Sequence, residues 1–140
     1  MKNKRKILWR LAAVALLLSI YPLCVLGYTW THVFRSDFEG GRHGPLDAYR
    51  HALASAVVSY TLDEQAVYLM TALMESGGKD SNRMDRHNNR LGAQIGASAK
   101  SFRDLEPSVR QSVLAGSVNT TDTNQITWLP KDLWRAGRIW

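Results

Sequence analysis

The chain has 140 residues, enough for one domain, and its apolar content of 45% is that of an ordinary globular protein. Its formal charge of +6 sits at one end: Lys2, Lys4, Arg5, Lys6 and Arg10 leave 13 basic against 12 acidic side chains over the other 130 residues. A nucleic-acid interface needs basic residues gathered on a folded face and is excluded; with Cys24 alone, so are an internal disulfide and a thiolate zinc cluster.

Leu11 to Phe34 contains no Asp, Glu, Lys or Arg. An apolar run of about 20 residues behind a basic stub fits a membrane-spanning helix, with Tyr21, Tyr28 and Trp30 toward its far interface. The stub stays cytoplasmic, which places residues 35–140 across the bilayer. The alternative is a cleaved signal peptide, with Leu11–Ile20 as apolar core, Pro22 as helix breaker and Val25-Leu26-Gly27 as cleavage site. The bulky Leu23 argues against lipidation at Cys24. Three parts follow: a stub and anchor or signal over 1–34, a linker over 35–44 containing Gly40 and Gly41, and a helical extracytoplasmic domain over 45–140.

Pro45 suits a first helical turn, and Leu46, Tyr49, Ala52, Leu53, Ala56, Val57 and Tyr60 recur at helical spacing, which predicts a first domain helix. Thr61-Leu62-Asp63-Glu64 has the form of a capping box with Thr61 as cap. The helix after it, about Asp63 to Ser76, carries Ala66, Val67, Leu69, Met70, Ala72, Leu73 and Met74 and is expected to be central and most buried. Gly77-Gly78 should stop it. Lys79–Arg83 reads as a loop, and a third helix runs from about Met84 to Lys100, with Leu91, Ile95 and Ala99 inward. Gly92 and Gly96 let another backbone come close. Glu106-Pro107 opens a short fourth helix with Val109, Val113 and Leu114 as its apolar edge before Gly116. Beyond Asn119 the chain is irregular, with a strand candidate at Gln125–Leu129. Ile126, Trp128, Leu129, Leu133, Trp134 and Trp140 fold back onto the helices. The fold class is all-α: about four bundled helices behind a transmembrane or signal helix, with a Trp-containing tail.

Asp47 and His51 lie four apart on one helix face with Arg50 beside them, and Ala54 and Ser55 leave room above. Asp85, Asn88, Asn89 and Gly92 form a second stripe. Glu75 falls in a last helical turn, where the dipole disfavours a carboxylate unless it has a partner or a task. Imidazole with carboxylates supplies either acid–base chemistry or a mixed nitrogen–oxygen metal site. Catalytic candidates are His51, Glu75 and Asp85; Asp47, Arg50, Asn88 and Asn89 are candidates for substrate binding, and a divalent metal is the candidate cofactor. Asp47 would fix the tautomer of His51. The structural alternative uses the same residues as caps and ion pairs, and His87, between Arg86 and Arg90, is expected to be exposed.

Asp47-Ala48-Tyr49-Arg50-His51-Ala52, then Glu75, then Met84-Asp85, Asn88-Asn89 and Gly92 together resemble a bacterial domain family of unknown function over residues 45–97. The resemblance implies a helical domain that brings the three segments together. Relatives pair a histidine with the glutamate; here Met74 precedes Glu75, removing one candidate ligand. Met74-Glu75-Ser76-Gly77-Gly78 and Leu91-Gly92-Ala93-Gln94-Ile95 also loosely resemble lytic transglycosylases, which cleave peptidoglycan with a single glutamate acid, although their later Tyr-Asn motif is missing.

The expectation is a domain with a buried polar site, acting as a small hydrolase or ligand-binding module. It is held to a bacterial inner membrane by residues 11–34 in the lipid bilayer, on the periplasmic or extracellular side, or secreted after cleavage. The alternative is a non-enzymatic accessory protein with an envelope-protein or cell-wall partner, its tryptophans as contact surface.

Overall fold

A computed structural model of the chain describes residues 2–75 and 77–138. It is mainly helical: α1 (Lys2–Arg35), α2 (Pro45–Thr61), α3 (Glu64–Met74), α4 (Asp80–Ser98) and α5 (Leu105–Leu114). Two short parallel strands, β1 (Ser117–Val118) and β2 (Thr127–Trp128), join the tail to the bundle. The strand expected at Gln125–Leu129 is present in its middle two residues, and Trp140 lies outside the described residues.

α2 is the axis. Pro45 sets its first turn and Asp47 complements the dipole there. Leu46, Tyr49, Ala52, Leu53, Ala56 and Val57 are buried, because α1, α3, α4, α5 and β2 all pack against this one helix. Burial of a side chain such as Leu46 or Leu53 contributes about 1.5–3 kcal/mol.

α4 lies closest to α2, and glycine is why. A Cβ at Gly92 would come within 2.2 Å of the Ala52 carbonyl oxygen, and one at Gly96 within 2.2 Å of that of Ala56. The pairings Ala52–Gly92 and Ala56–Gly96 show that the two helices run in the same direction. Ser59 Oγ donates to the Ala93 carbonyl at 2.7 Å and fixes the register. α4 begins four residues earlier than its sequence suggests: Asp80 and Arg83, expected in a loop, form an ion pair within its first turn.

α3 departs from expectation. It is the least buried of the domain helices: Val67 alone is buried, whereas Leu69 is 64%, Leu73 74% and Met74 73% exposed. Its apolar residues encircle the helix, and only the stripe carrying Val67 meets α2 and α4. Thr61 is not its cap. That residue ends α2 with its hydroxyl on the Val57 carbonyl, and Asp63 caps α3 by accepting from Ala66 N–H at 2.8 Å. The helix stops at Met74, before the glycines, with Glu75 as its C-cap.

α1 has two parts in one unbroken helix. Ile7, Leu8, Trp9, Leu11, Leu16, Leu18 and Ile20 are exposed, and the helix as a whole, over Lys4–Arg35, is long and apolar enough to cross a membrane or to act as a signal sequence. Farther on, Val25, Thr29 and Val33 are buried against α2, and Tyr21 shares a 2.6 Å hydrogen bond with Thr61. Pro22 lies inside the helix and does not end it. The segment 36–44 is an ordered loop: Gly41 and Gly44 are buried, Gly40 takes φ +74°, and Leu129 N–H donates to the His43 carbonyl at 2.9 Å. Arg138 closes the structure by donating to the carbonyls of Val33, Phe34 and Ser36 at the end of α1.

Candidate functional site

The seam between α2 and α4 carries the charged residues singled out above. His51 Nε2 lies 3.6 Å from Asp47 Oδ1 on its own helix and 3.6 Å from Asp85 Oδ1 on α4. The Asp47 side chain is 3% exposed, that of Asp85 12% and that of His51 22%, so the histidine forms the solvent-facing edge of a buried carboxylate pair. α4 can bring Asp85 this close because Gly92, two turns on, removes the side chain that would hold the helices apart.

Asn89 positions the imidazole. Its Oδ1 accepts from Ser55 Oγ at 3.1 Å and its Nδ2 donates to Thr71 Oγ1 at 3.2 Å. The same oxygen faces His51 Nδ1 at 3.2 Å, so Nδ1 carries the hydrogen and Nε2 of the neutral ring presents a lone pair to the two carboxylates. The tautomer is thus set by Asn89; the role expected of Asp47 falls to the amide. Asp47 has other bonds: its Oδ2 accepts from His43 N–H at 2.6 Å, and its Oδ1 pairs with the Arg50 guanidinium.

Asp85 is the strained member electrostatically. Its Oδ1 is buried and has no hydrogen-bond partner among the described residues. Burial pushes its carboxyl up to about 6, Asp47 and Glu75 add to the rise by repulsion, and His51 and Arg50 oppose it. Beside Asp47, burial lowers the His43 titration, with Arg42 and Arg135 acting in the same direction against Asp47.

Three expected members are placed elsewhere or occupied. Asn88 is fully buried and faces the tail, where its amide donates to the Thr127 carbonyl at 2.8 Å and accepts from Thr127 N–H at 3.1 Å. It fastens β2 to α4 and has no access to substrate. Arg50 donates to the Gly41 carbonyl at 3.2 Å and lies over the Trp30 ring, 5.4 Å from its centroid, in addition to its pair with Asp47. Glu75 is half-buried beside the seam, close enough to act on Asp85, and outside the cluster of three. The dipole end it occupies is compensated by Arg86, which donates to the backbone carbonyls of Glu75 and Gly77. Ser76 lies outside the described residues.

His87, expected to be exposed, is half-buried and donates from Nε2 to the Gln125 carbonyl at 2.8 Å. The residues that sequence reasoning missed are Thr71, which orients Asn89, and His43, whose main chain holds Asp47. Thr71 was visible as the one threonine within the apolar run of α3; His43 gave no signal inside a Gly-rich stretch. A groove of about 530 Å³ between Phe38–Gly40 and Lys131–Arg138 lies away from these residues.

Comparison with protein-family models, with curated proteins and with solved structures finds no match to this chain. The likeness to the bacterial domain of unknown function therefore rests on the quoted residues alone.

Proposed function

We propose that the chain is a membrane-anchored, extracytoplasmic helical domain that binds a small polar substrate at the α2–α4 seam and hydrolyses it. The observation that carries this reading is the convergence of Asp47, His51 and Asp85, from positions far apart in sequence, at a partly open edge of an otherwise closed helix pair. His51 serves as the base, taking a proton from water at Nε2 while Asn89 holds Nδ1–H. Asp85, whose carboxyl exchanges its proton near neutrality, returns a proton to the leaving group. Asp47 keeps Arg50 and the 36–44 loop in place and favours the imidazolium that forms. The anchor is α1, whose apolar length over Lys4–Arg35 suffices to cross a membrane, and the packing of Val25, Thr29 and Val33 into the core favours a retained helix over a cleaved signal.

Two measurements test it. The purified full chain in detergent is given chromogenic esters, amides and phosphoesters and purified cell wall; His51→Gln should lower turnover by about 10²–10⁴-fold. Absence of turnover by the parent chain, or equal turnover by the variant, refutes the hydrolytic role. For the side of the membrane, Asp122→Cys in a Cys24→Ser chain should react with an impermeant maleimide in intact cells that expose the extracytoplasmic face, and reaction only after lysis refutes the orientation.

One observation favours the non-enzymatic alternative. The outer side of α3 presents Leu69, Leu73 and Met74 to solvent, the kind of apolar patch that marks a protein contact. Among the described residues the tail tryptophans do not add to it: Trp128 is half-buried against the core, and Trp134 packs on Gly40 and Gly44. Leu73→Glu abolishing cellular function while His51→Gln preserves it would select that reading.

A further inference from the structure

The separations within the seam are not those of hydrogen bonds. Both contacts of His51 Nε2 are 3.6 Å, well beyond the 2.7–3.2 Å of an N–H···O bond. Two ligand atoms bound at about 2.0–2.2 Å to one tetrahedral ion stand about 3.3–3.6 Å apart. One ligand atom from each of Asp47, His51 and Asp85 lies within 4.8 Å of the other two.

The electron pairs lead to the same place. With Nδ1 protonated toward Asn89, three lone-pair-bearing atoms face one another: Asp47 Oδ1, Asp85 Oδ1 and His51 Nε2. Nothing in the described residues donates to Asp85 Oδ1, although its residue is nine-tenths buried and it is aimed into the cluster. Such an arrangement requires positive charge between its members. Arg50 pairs with Asp47 through this same Oδ1, which keeps a second lone pair for the cluster, and acts on Asp85 only through space.

We infer that Asp47, His51 and Asp85 bind one divalent transition-metal ion, with Asn89 as the outer partner that orients the histidine. One imidazole nitrogen with two carboxylate oxygens suits Zn²⁺ or Mn²⁺, whereas Ca²⁺ takes six to eight oxygens, more than the seam offers. Three protein ligands at a partly open edge leave a further position to water or substrate, as catalytic rather than purely structural sites do. The inference rests on the hydrolytic reading and changes the roles within it: with the ion bound, His51 Nε2 and Asp85 would be ligands instead of base and acid, and the ion would supply an activated water.

The test takes the full chain in detergent, stripped with chelator and returned to Zn²⁺ or Mn²⁺. About one equivalent of metal per chain and a rise in melting temperature are expected. Asp85→Asn and His51→Gln should each weaken binding by at least tenfold, and Asp85→Asn should melt no lower than the parent chain in chelator, which shows that its loss of binding is not misfolding. His32, His43 and His87 are intact in Asp85→Asn, so binding through other histidines would survive that substitution and overturn the inference. Absence of stoichiometric binding, or a His51 ¹⁵N spectrum with Nε2 protonated near pH 7 and unmoved by metal, overturns it as well. The two readings fail separately. Turnover that depends on His51 but persists in chelator removes the ion and keeps the hydrolase; a bound ion with no turnover does the reverse.

Discussion

Asp85→Asn gives the sharpest test of the seam, because its effect on stability should fade as pH falls and change sign with metal. In the unfolded chain the carboxyl titrates near 3.8; in the fold it is pushed up to about 6, chiefly by burial. The folded state therefore holds the proton more tightly. The stability this proton contributes is fully present below pH 3.8 and is lost as pH rises through about 6. A shift of that size corresponds to about 3 kcal/mol above neutrality. Asparagine has no charge to desolvate, so in chelator at pH 8 the variant should be more stable by up to about 3 kcal/mol, or roughly 10–20 °C in melting temperature for a domain of this size. Near pH 4 the advantage should nearly vanish. The assay is thermal unfolding of the full chain in detergent, followed by circular dichroism at pH 4 and pH 8. With saturating Zn²⁺ the order should invert, since only the parent chain gains binding energy. A variant less stable than its parent at pH 8 in chelator would refute the account, because Asp85 would then be a satisfied carboxylate.

Three further outcomes follow from the packing. Asn88→Ala should cost about 2–4 kcal/mol by leaving the Thr127 N–H and carbonyl without partners in a buried setting, measurable by denaturant unfolding. Gly92→Ala drives a methyl into the Ala52 backbone, which no rotamer relieves; a loss of about 3 kcal/mol or more is expected, together with loosening of His51 from Asp85 seen in the imidazole chemical shifts. Removal of residues 1–20 should leave a cooperative unfolding transition, whereas removal of 1–34 strips Val25, Thr29 and Val33 from α2 and should abolish it.

The helices were readable because their signals are local. Pro45, the apolar spacing of α2 and the Gly92–Gly96 pair each act within one or two turns, and the structure uses them as read. α3 shows the limit. Its residues are as apolar as those of α2, but composition does not say which faces of a helix find partners, and three-quarters of the Leu73 side is left to solvent. The neighbouring asparagines show the same limit at the site. Positions three and four residues after Asp85 both fall near its stripe, yet they lie about 100° apart around the helix. Asn89 consequently faces His51 while Asn88 faces Thr127, a division decided by where the tail returns. The carboxylates and the imidazole could be named from i, i+4 spacing. The fixing of the ring by Ser55, Asn89 and Thr71 required three helices to be placed, and no pattern along the chain carries that.

α1 passes from its bare apolar turns into the core as one unbroken helix, with Pro22 near the junction. The stretch from Ile7 to Ile20 measures about 20 Å at the helical rise, and beyond it Arg50 stacks on Trp30 of the same helix, one residue from the histidine. Whatever grips those first turns is thereby coupled to the height of the imidazole through a single helix. A chemistry mounted in this way works at one fixed depth, and its substrates must come to it.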